Sequence, residues 1–306
     1  MSFRQQNWKR LLKQHGQLLL PSVCDALGAK LIQHCGFPAY QIGGFALDGM
    51  RHGFPDMDVA RLGEKSAAVQ DIIHACDLPV LVDADDGYGD EKNVTHTVHV
   101  YDDIGASAIF IEDQKAPKRC GHMGGKEVIP AKQMVSKIKA ARNARRVAEK
   151  LFIVARTDAL EPEGLGSALK RAETYLKAGT DGIYIEGPHD IRQMQTIGRE
   201  FRGEAIAITM LEGGGKTPIL PPKELAAMGF NMVLYPTTLL FRITHTMLQA
   251  LQDIKAGRPM PADQSVTMME FEKLVDIAYW KSIEMRALPL GERLRQGINA
   301  LFKRVA

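Results

Sequence analysis

Nothing in this chain supports a disulfide framework or a cysteine-bound metal: Cys24, Cys35, Cys76 and Cys120 show no CxxC pairing and no metal-ligand spacing. No apolar run approaches the roughly 18 residues of a membrane span. The opening Met1-Ser2-Phe3-Arg4-Gln5-Gln6 lacks the apolar core of a secretory leader. Net charge is nearly absent as well. With 39 basic against 36 acidic residues, the formal charge is +3 and no global field points to nucleic acid. The expectation is a soluble cytoplasmic protein with reduced thiols that binds neither membrane nor nucleic acid.

What is present is an ordinary globular composition, 45% hydrophobic and 25% charged, over 306 residues, enough for one large α/β domain with an appendage. Short apolar, β-branched runs alternate with segments of helical period, the mark of parallel strands joined by crossover helices. The runs fall at 18–23, 39–44, 80–85, 108–113, 152–158, 182–187, 205–211 and 232–236, with helices expected at 59–76, 92–104, 131–149, 165–178 and 190–201. Eight strand-helix units predict a (β/α)8 TIM barrel. A doubly wound sheet is the runner-up, but its Gly-x-Gly-x-x-Gly turn is missing after the first strand. The basic run Lys137, Lys139, Arg142, Arg145 and Arg146 has helical spacing and reads as a solvated helix face. Ala256-Gly257-Arg258-Pro259-Met260-Pro261 then breaks the chain, dividing a barrel with its N-terminal helix (1–256) from a C-terminal helical extension (257–306). The extension's amphipathic helix, 271–285, carries Tyr279 and Trp280 and needs a cover, either a second subunit or the chain's own barrel.

Barrel active sites form at the C-terminal ends of strands, and those ends are acidic here. The third closes with Asp83-Ala84-Asp85-Asp86-Gly87-Tyr88-Gly89, the fourth with Glu112-Asp113-Gln114, the fifth with Arg156-Thr157-Asp158 and the sixth with Glu186; Asp56 follows the second. Converging carboxylates repel unless a cation neutralises them. Oxygen-only ligands favour Mg²⁺ over zinc, with Mn²⁺ able to substitute. Asp85 is read as a metal ligand, with an N-cap or turn role as the alternative, Asp83, Asp56 and Glu112 as binding through water, and Asp113 as a scaffold acceptor. Strand alternation places Asp83 and Asp85 on one side.

The second signal is the loop 115–126, containing Lys118-Arg119-Cys120-Gly121-His122. Cationic neighbours are expected to lower the Cys120 pKa, and the glycines make the segment a lid candidate. Gly213-Gly214-Gly215-Lys216-Thr217 looks like the tail of a phosphate-binding loop, but that motif requires glycine where Met210 stands, so a glycine-rich turn is preferred.

Taken together, the chain resembles the isocitrate lyase and phosphoenolpyruvate mutase superfamily from about Trp8 to Met285. The resemblance is carried by Asp83 to Gly89, by Ile111-Glu112-Asp113-Gln114 with Pro117 to His122, by Val154 to Asp158, and by Glu212-Gly213-Gly214 with Lys216-Thr217-Pro218. Within it, the chain is most similar to 2-methylisocitrate lyases, 2,3-dimethylmalate lyases and petal death proteins. The resemblance implies a barrel whose last helix is swapped between subunits, usually in a homotetramer, and Mg²⁺-dependent cleavage of a substituted 2-hydroxy di- or tricarboxylate. The products are a 2-oxo acid such as pyruvate and a second carboxylic acid. It assigns Asp85 to the metal, with Asp83, Asp56 and Glu112 holding its waters; Arg156 to the substrate and the departing enolate; Cys120 to protonation of the enolate carbon; and Glu186 to orientation. Gly43, Gly44, Phe45, Gly121, His122 and Thr209 are the further expected substrate contacts, with His122 also expected in the catalytic group.

Two departures stand out. Gly43-Gly44 replaces the family's usual Ser-Gly, and Thr209 stands where an asparagine normally meets substrate carboxylate. Both remove polar reach from one side of the site, so the expected change is in substrate choice. The alternatives are oxaloacetate hydrolysis or decarboxylation, carboxyvinyl-carboxyphosphonate phosphorylmutase-like phosphonate chemistry, whose loops usually lack Cys-Gly-His, and an impaired barrel kept as a binding protein.

Overall fold

The computed structural model describes residues 7–147, 150–289 and 291–292. The leader reading of Met1 to Gln6, the end of the helix expected to reach Glu149 and the tail of the extension from residue 293 lie outside the described residues. By its contacts the chain divides into Met1–Gln249 and Ala250–Ala306.

The first unit is a (β/α)8 barrel. Its strands are β1 (Leu18–Pro21), β2 (Tyr40–Ile42), β3 (Val80–Asp83), β4 (Ala108–Glu112), β5 (Phe152–Thr157), β6 (Gly182–Ile185), β7 (Ile206–Thr209) and β8 (Met232–Tyr235). They pair in parallel in the order β1-β8-β7-β6-β5-β4-β3-β2. The remaining seam, β1 to β2, is joined by a single parallel bridge between Ser22 and Gln41. Strand alternation divides the core in two. Leu18, Leu20, Leu81, Phe110, Val154 and Leu234 fill the barrel, while Ile42, Val82, Ile109, Ile183 and Ile208 face the helices. The helix Trp8–His15 starts at Asn7, whose side chain accepts the Arg10 amide. It inserts the fully buried Trp8 into the inner cluster, where its indole N–H meets Met232 Sδ at 3.5 Å.

All eight strands stand where expected but stop one to two residues sooner at their C-terminal ends. Asp83 is the last residue of β3, and Asp85 adopts φ 48°. Asp83 and Asp85 still face one another, but through a turn in which the Asp85 amide donates to Asp83 Oδ1 at 2.9 Å, not through strand alternation. Another expectation is corrected at Lys137, which is buried against Asp86, donating to its carbonyl at 2.7 Å; Lys139, Arg142 and Arg146 are exposed.

The second unit contains the helices Met268–Leu274 and Ile277–Ala287. The single helix expected over 271–285 is therefore broken, because Asp276 takes the left-handed conformation, φ 58°, and interrupts the hydrogen-bond ladder. No residue of either helix is buried, and Tyr279 and Trp280 stack edge-on with ring centroids 5.5 Å apart. No described helix is long and apolar enough to cross a membrane.

Candidate active site

The barrel's C-terminal mouth opens into a cavity of about 440 Å³, counted with its solvent opening. Every residue singled out above as catalytic, substrate-binding or metal-binding lines it except Asp85 and Glu112, which are buried just behind the wall. The acidic side is organised by two lysines. Lys118 Nζ lies 2.5 Å from Asp85 Oδ1 and also pairs with Asp56. Lys65 Nζ lies 2.7 Å from Asp85 Oδ2 and 3.3 Å from the fully buried Asp48. Burial alone would raise the Asp85 pKa, but Lys118 and then Lys65 outweigh it, and the carboxylate is held ionised. Burial raises Glu112 well above the carboxylate range, only partly offset by Arg156.

A hard divalent cation can be tested against this arrangement. Among the described residues, no three His, Cys, Asp or Glu side chains come close enough to hold an ion between them. Mg²⁺, however, usually takes one or two carboxylates and keeps several waters. Lys118 already pairs with Asp85 and Asp56, and the charges of Glu112 and Asp83 favour its ammonium as well, so a cation is favoured here. Glu112 Oε1 is buried with no hydrogen-bond partner among the described residues. One direct carboxylate and several water-mediated ones fit that geometry and donor set.

Beside Glu112, on the neighbouring strand β5, stands Arg156. Its guanidinium pairs with Asp158 through Nε at 2.9 Å and Nη2 at 3.1 Å, with Glu112 at 3.2 Å and with Glu186 at 3.4 Å. It also lies 5.3 Å from the Tyr184 ring centroid and 5.9 Å from that of Phe110, which leaves it little freedom. Tyr184 links Glu186 to Thr209, its hydroxyl bonding both. For Glu186 the penalty of burial is outweighed by Arg156, His122 and Lys126, keeping it ionised. Asp113 serves the scaffold: it accepts from Thr157 and Tyr175 at 2.7 Å each and from the Asp158 amide at 2.9 Å.

The loop after β4 packs over these groups. Its base is held by Gln114, which exchanges hydrogen bonds with the Arg119 backbone at 2.8 and 3.1 Å. The Cys120 amide donates to the Asp56 carbonyl at 3.0 Å. His122 Nε2 lies 3.1 Å from Glu186 Oε1, and its Nδ1 accepts the Lys216 amide at 3.0 Å, which fixes the ring tautomer. The glycine-rich turn at 213–215 thus presents its following amide to the loop. Gly121 passes so close to Arg156 and Glu186 that no β-carbon would fit there.

The expected lowering of the Cys120 pKa is overturned. The thiol is pushed up to about 11, by burial first and then by the Asp56 carboxylate. The neighbouring cations are engaged elsewhere: Lys118 by Asp56 and Asp85, Arg119 by the Gly124 carbonyl, and Lys126 by Asp158 and the Gly121 carbonyl.

Sequence reasoning missed Lys65 and Asp48. A signal for Lys65 was available: Lys65, Ala68, Val69 and Ile72 form the buried i, i+3, i+4, i+7 stripe of the helix Leu62–Ala75, with the lysine at its head. Asp48 sits on a π-helical turn, Asp48–His52, that no local pattern announces.

A family model described as phosphoenolpyruvate phosphomutase matches residues 8–255. The chain is 36% identical over 278 residues to 2,3-dimethylmalate lyase of Eubacterium barkeri, covering 90% of this chain and 95% of that one. It is also 36% identical over 288 residues to a chloroplastic carboxyvinyl-carboxyphosphonate phosphorylmutase of Arabidopsis thaliana, covering 92% and 84%. The crystal structure of a 2,3-dimethylmalate lyase superposes with a TM-score of 0.87 at 27% identity, over 94% of this chain and 96% of that one. The eight-stranded barrel, its acidic mouth and these likenesses agree: the chain is an enzyme of the phosphoenolpyruvate phosphomutase family, within the PEP mutase/isocitrate lyase superfamily.

Proposed function

We propose that this enzyme is a Mg²⁺-dependent carbon–carbon lyase that cleaves a substituted 2-hydroxy dicarboxylate or tricarboxylate, of the 2,3-dimethylmalate or 2-methylisocitrate type, into a 2-oxo acid and a second carboxylic acid. The observation that carries this reading is Cys120: a thiol kept protonated by its surroundings, presented to a cavity lined also by Asp56, Asp83, Glu186 and a fixed Arg156.

Asp85 would bind the ion directly and Asp83, Asp56 and Glu112 would hold its waters, with Mn²⁺ able to substitute. When bound, the ion supplies Lewis-acid stabilisation of negative charge on the oxo-acid oxygens. The chain's own groups do the rest. Arg156 pairs with substrate carboxylate and, already fixed by Asp158 and Glu186, stabilises the departing enolate without reorganising. As the C–C bond breaks, its electron pair passes to the α-carbon of the leaving acid and the hydroxyl gives its proton to solvent water at the open mouth of the cavity. The Cys120 thiol delivers a proton to that carbon, and the thiolate takes one back from solvent before the next turnover. Glu186 lies beside His122, whose Nδ1 accepts the Lys216 amide, and this contact would help set the loop's position over the substrate.

The exposed Phe271, Tyr279 and Trp280 of the extension support a homo-oligomer, and a tetramer with an exchanged last helix is what the resemblance to the superfamily implies. The likeness to the Arabidopsis phosphorylmutase supports a second reading, phosphorus–carbon chemistry at the same site. A lactate dehydrogenase-coupled screen for pyruvate, with Mg²⁺, over 2,3-dimethylmalate, 2-methylisocitrate, citramalate and oxaloacetate tests the first. Pyruvate from one of the hydroxy acids is the expected result. No oxo acid from any of them, with turnover of a phosphonate included in the panel, would replace the lyase reading by the second.

A further inference from the structure

The inner end of the cavity holds a polar group that the proposed reaction leaves without a task. On β2, Tyr40 and Ile42 pack beneath the helices while Ala39 belongs to the cluster inside the barrel, so Gln41 points inward, on the same side as Gly43. Its register partner is Leu81, and Phe110 and Leu234 share the cavity wall with it. The Gln41 side chain is 2% exposed, and its Nε2 has no hydrogen-bond partner among the described residues. A buried donor without a partner costs stability, and leucine would fill such a position without that cost. The neighbouring polar groups do not relieve it: Gly43 has no side chain, and the hydroxyls of Thr209 and Tyr184 bond each other, with Tyr184 also bonding Glu186 and neither reaching Gln41 Nε2.

We propose that Gln41 is a specificity-determining residue whose Nε2–H donates to an oxygen of the bound substrate at the inner end of the cavity. The site thereby favours an oxo-acid half that places an oxygen against this wall, and a pyruvate-forming substrate is accepted without this hydrogen bond. The inference rests on the oxo-acid lyase reading and names an acceptor that site would take. It also gives the missing serine and asparagine side chains a counterpart: recognition on this wall moves two residues down β2.

Oxalate and pyruvate are suitable probes, because with one carboxylate superposed oxalate carries an oxygen where pyruvate carries a methyl group. Titration calorimetry at fixed Mg²⁺ would compare the full chain with Gln41→Leu. Wild type should bind oxalate more tightly than pyruvate, and the variant should lose about tenfold in oxalate affinity with pyruvate nearly unchanged. Equal loss for both probes means a scaffold role and overturns the inference, as does no loss for either. A wild type that binds neither probe removes the oxo-acid reading itself. If Gln41→Leu is poorly folded by circular dichroism, Gln41→Met, which keeps the chain's length, carries the same comparison.

Discussion

A cysteine can serve an active site as a thiolate or as a proton donor, and its surroundings decide which. Cys120 is nearly enclosed, and Asp56 sits closer in effect than any free cation, so its thiol is pushed up to about 11. At that value roughly one thiol in three thousand is ionised at pH 7.5. The residue is therefore suited to give a proton and poorly suited to attack a carbon. Alkylation separates these cases. With iodoacetamide at pH 7.5 and peptide mass mapping, exposed Cys35 should be modified first and Cys120 should resist. Modification of Cys120 as fast as Cys35 would mean a lowered pKa and a nucleophile. Asp85 shows the opposite arrangement: two lysines hold it ionised despite burial, as a metal ligand requires.

At the level of elements, the loop 115–126 depends on one missing side chain. Gly121→Ala would drive a β-carbon into Arg156 and Glu186, both fixed by ion pairs, so the loop would have to lift. A displacement of about 1 Å can cost about a hundredfold in rate. The expected outcome is a fall of that order in kcat/KM with an almost unchanged Tm; retention of full activity would show that the loop need not pack where it does. The strands were legible because each is a short, mainly apolar run, buried on both faces in all but β1, whose Leu19 and Pro21 are half-buried. Their ends were overrun because residues such as Ala84 and Asp85 continue the pattern after the ladder has stopped. Lys65 and Lys137 were hidden by their type: a lysine on a helix reads as solvated, and only its place on an apolar stripe says otherwise. The break at Asp276 carries neither glycine nor proline to announce it. Thiol tuning was illegible for a different reason, since it depends on which carboxylate each loop cation meets in space.

For the whole molecule, the near balance of 39 basic and 36 acidic residues conceals a concentration of paired charges at the mouth of the barrel. The barrel supplies the enclosure in which such pairs are strong. The extension's exposed apolar groups make a self-association prediction. Sedimentation equilibrium should give a mass several times the 33.8 kDa of one chain, falling toward it for Trp280→Glu. A wild type that stays monomeric at tens of micromolar would remove the oligomer from the account.

If Cys120 is the proton donor of a carbon–carbon cleavage, Cys120→Ser removes that donor with the least change in shape. With the best substrate from the coupled screen, saturating Mg²⁺ and a matched Tm, the variant should lose about 10²- to 10⁴-fold in oxo-acid release, the range of a general acid. Turnover equal to that of the wild type would contradict the account.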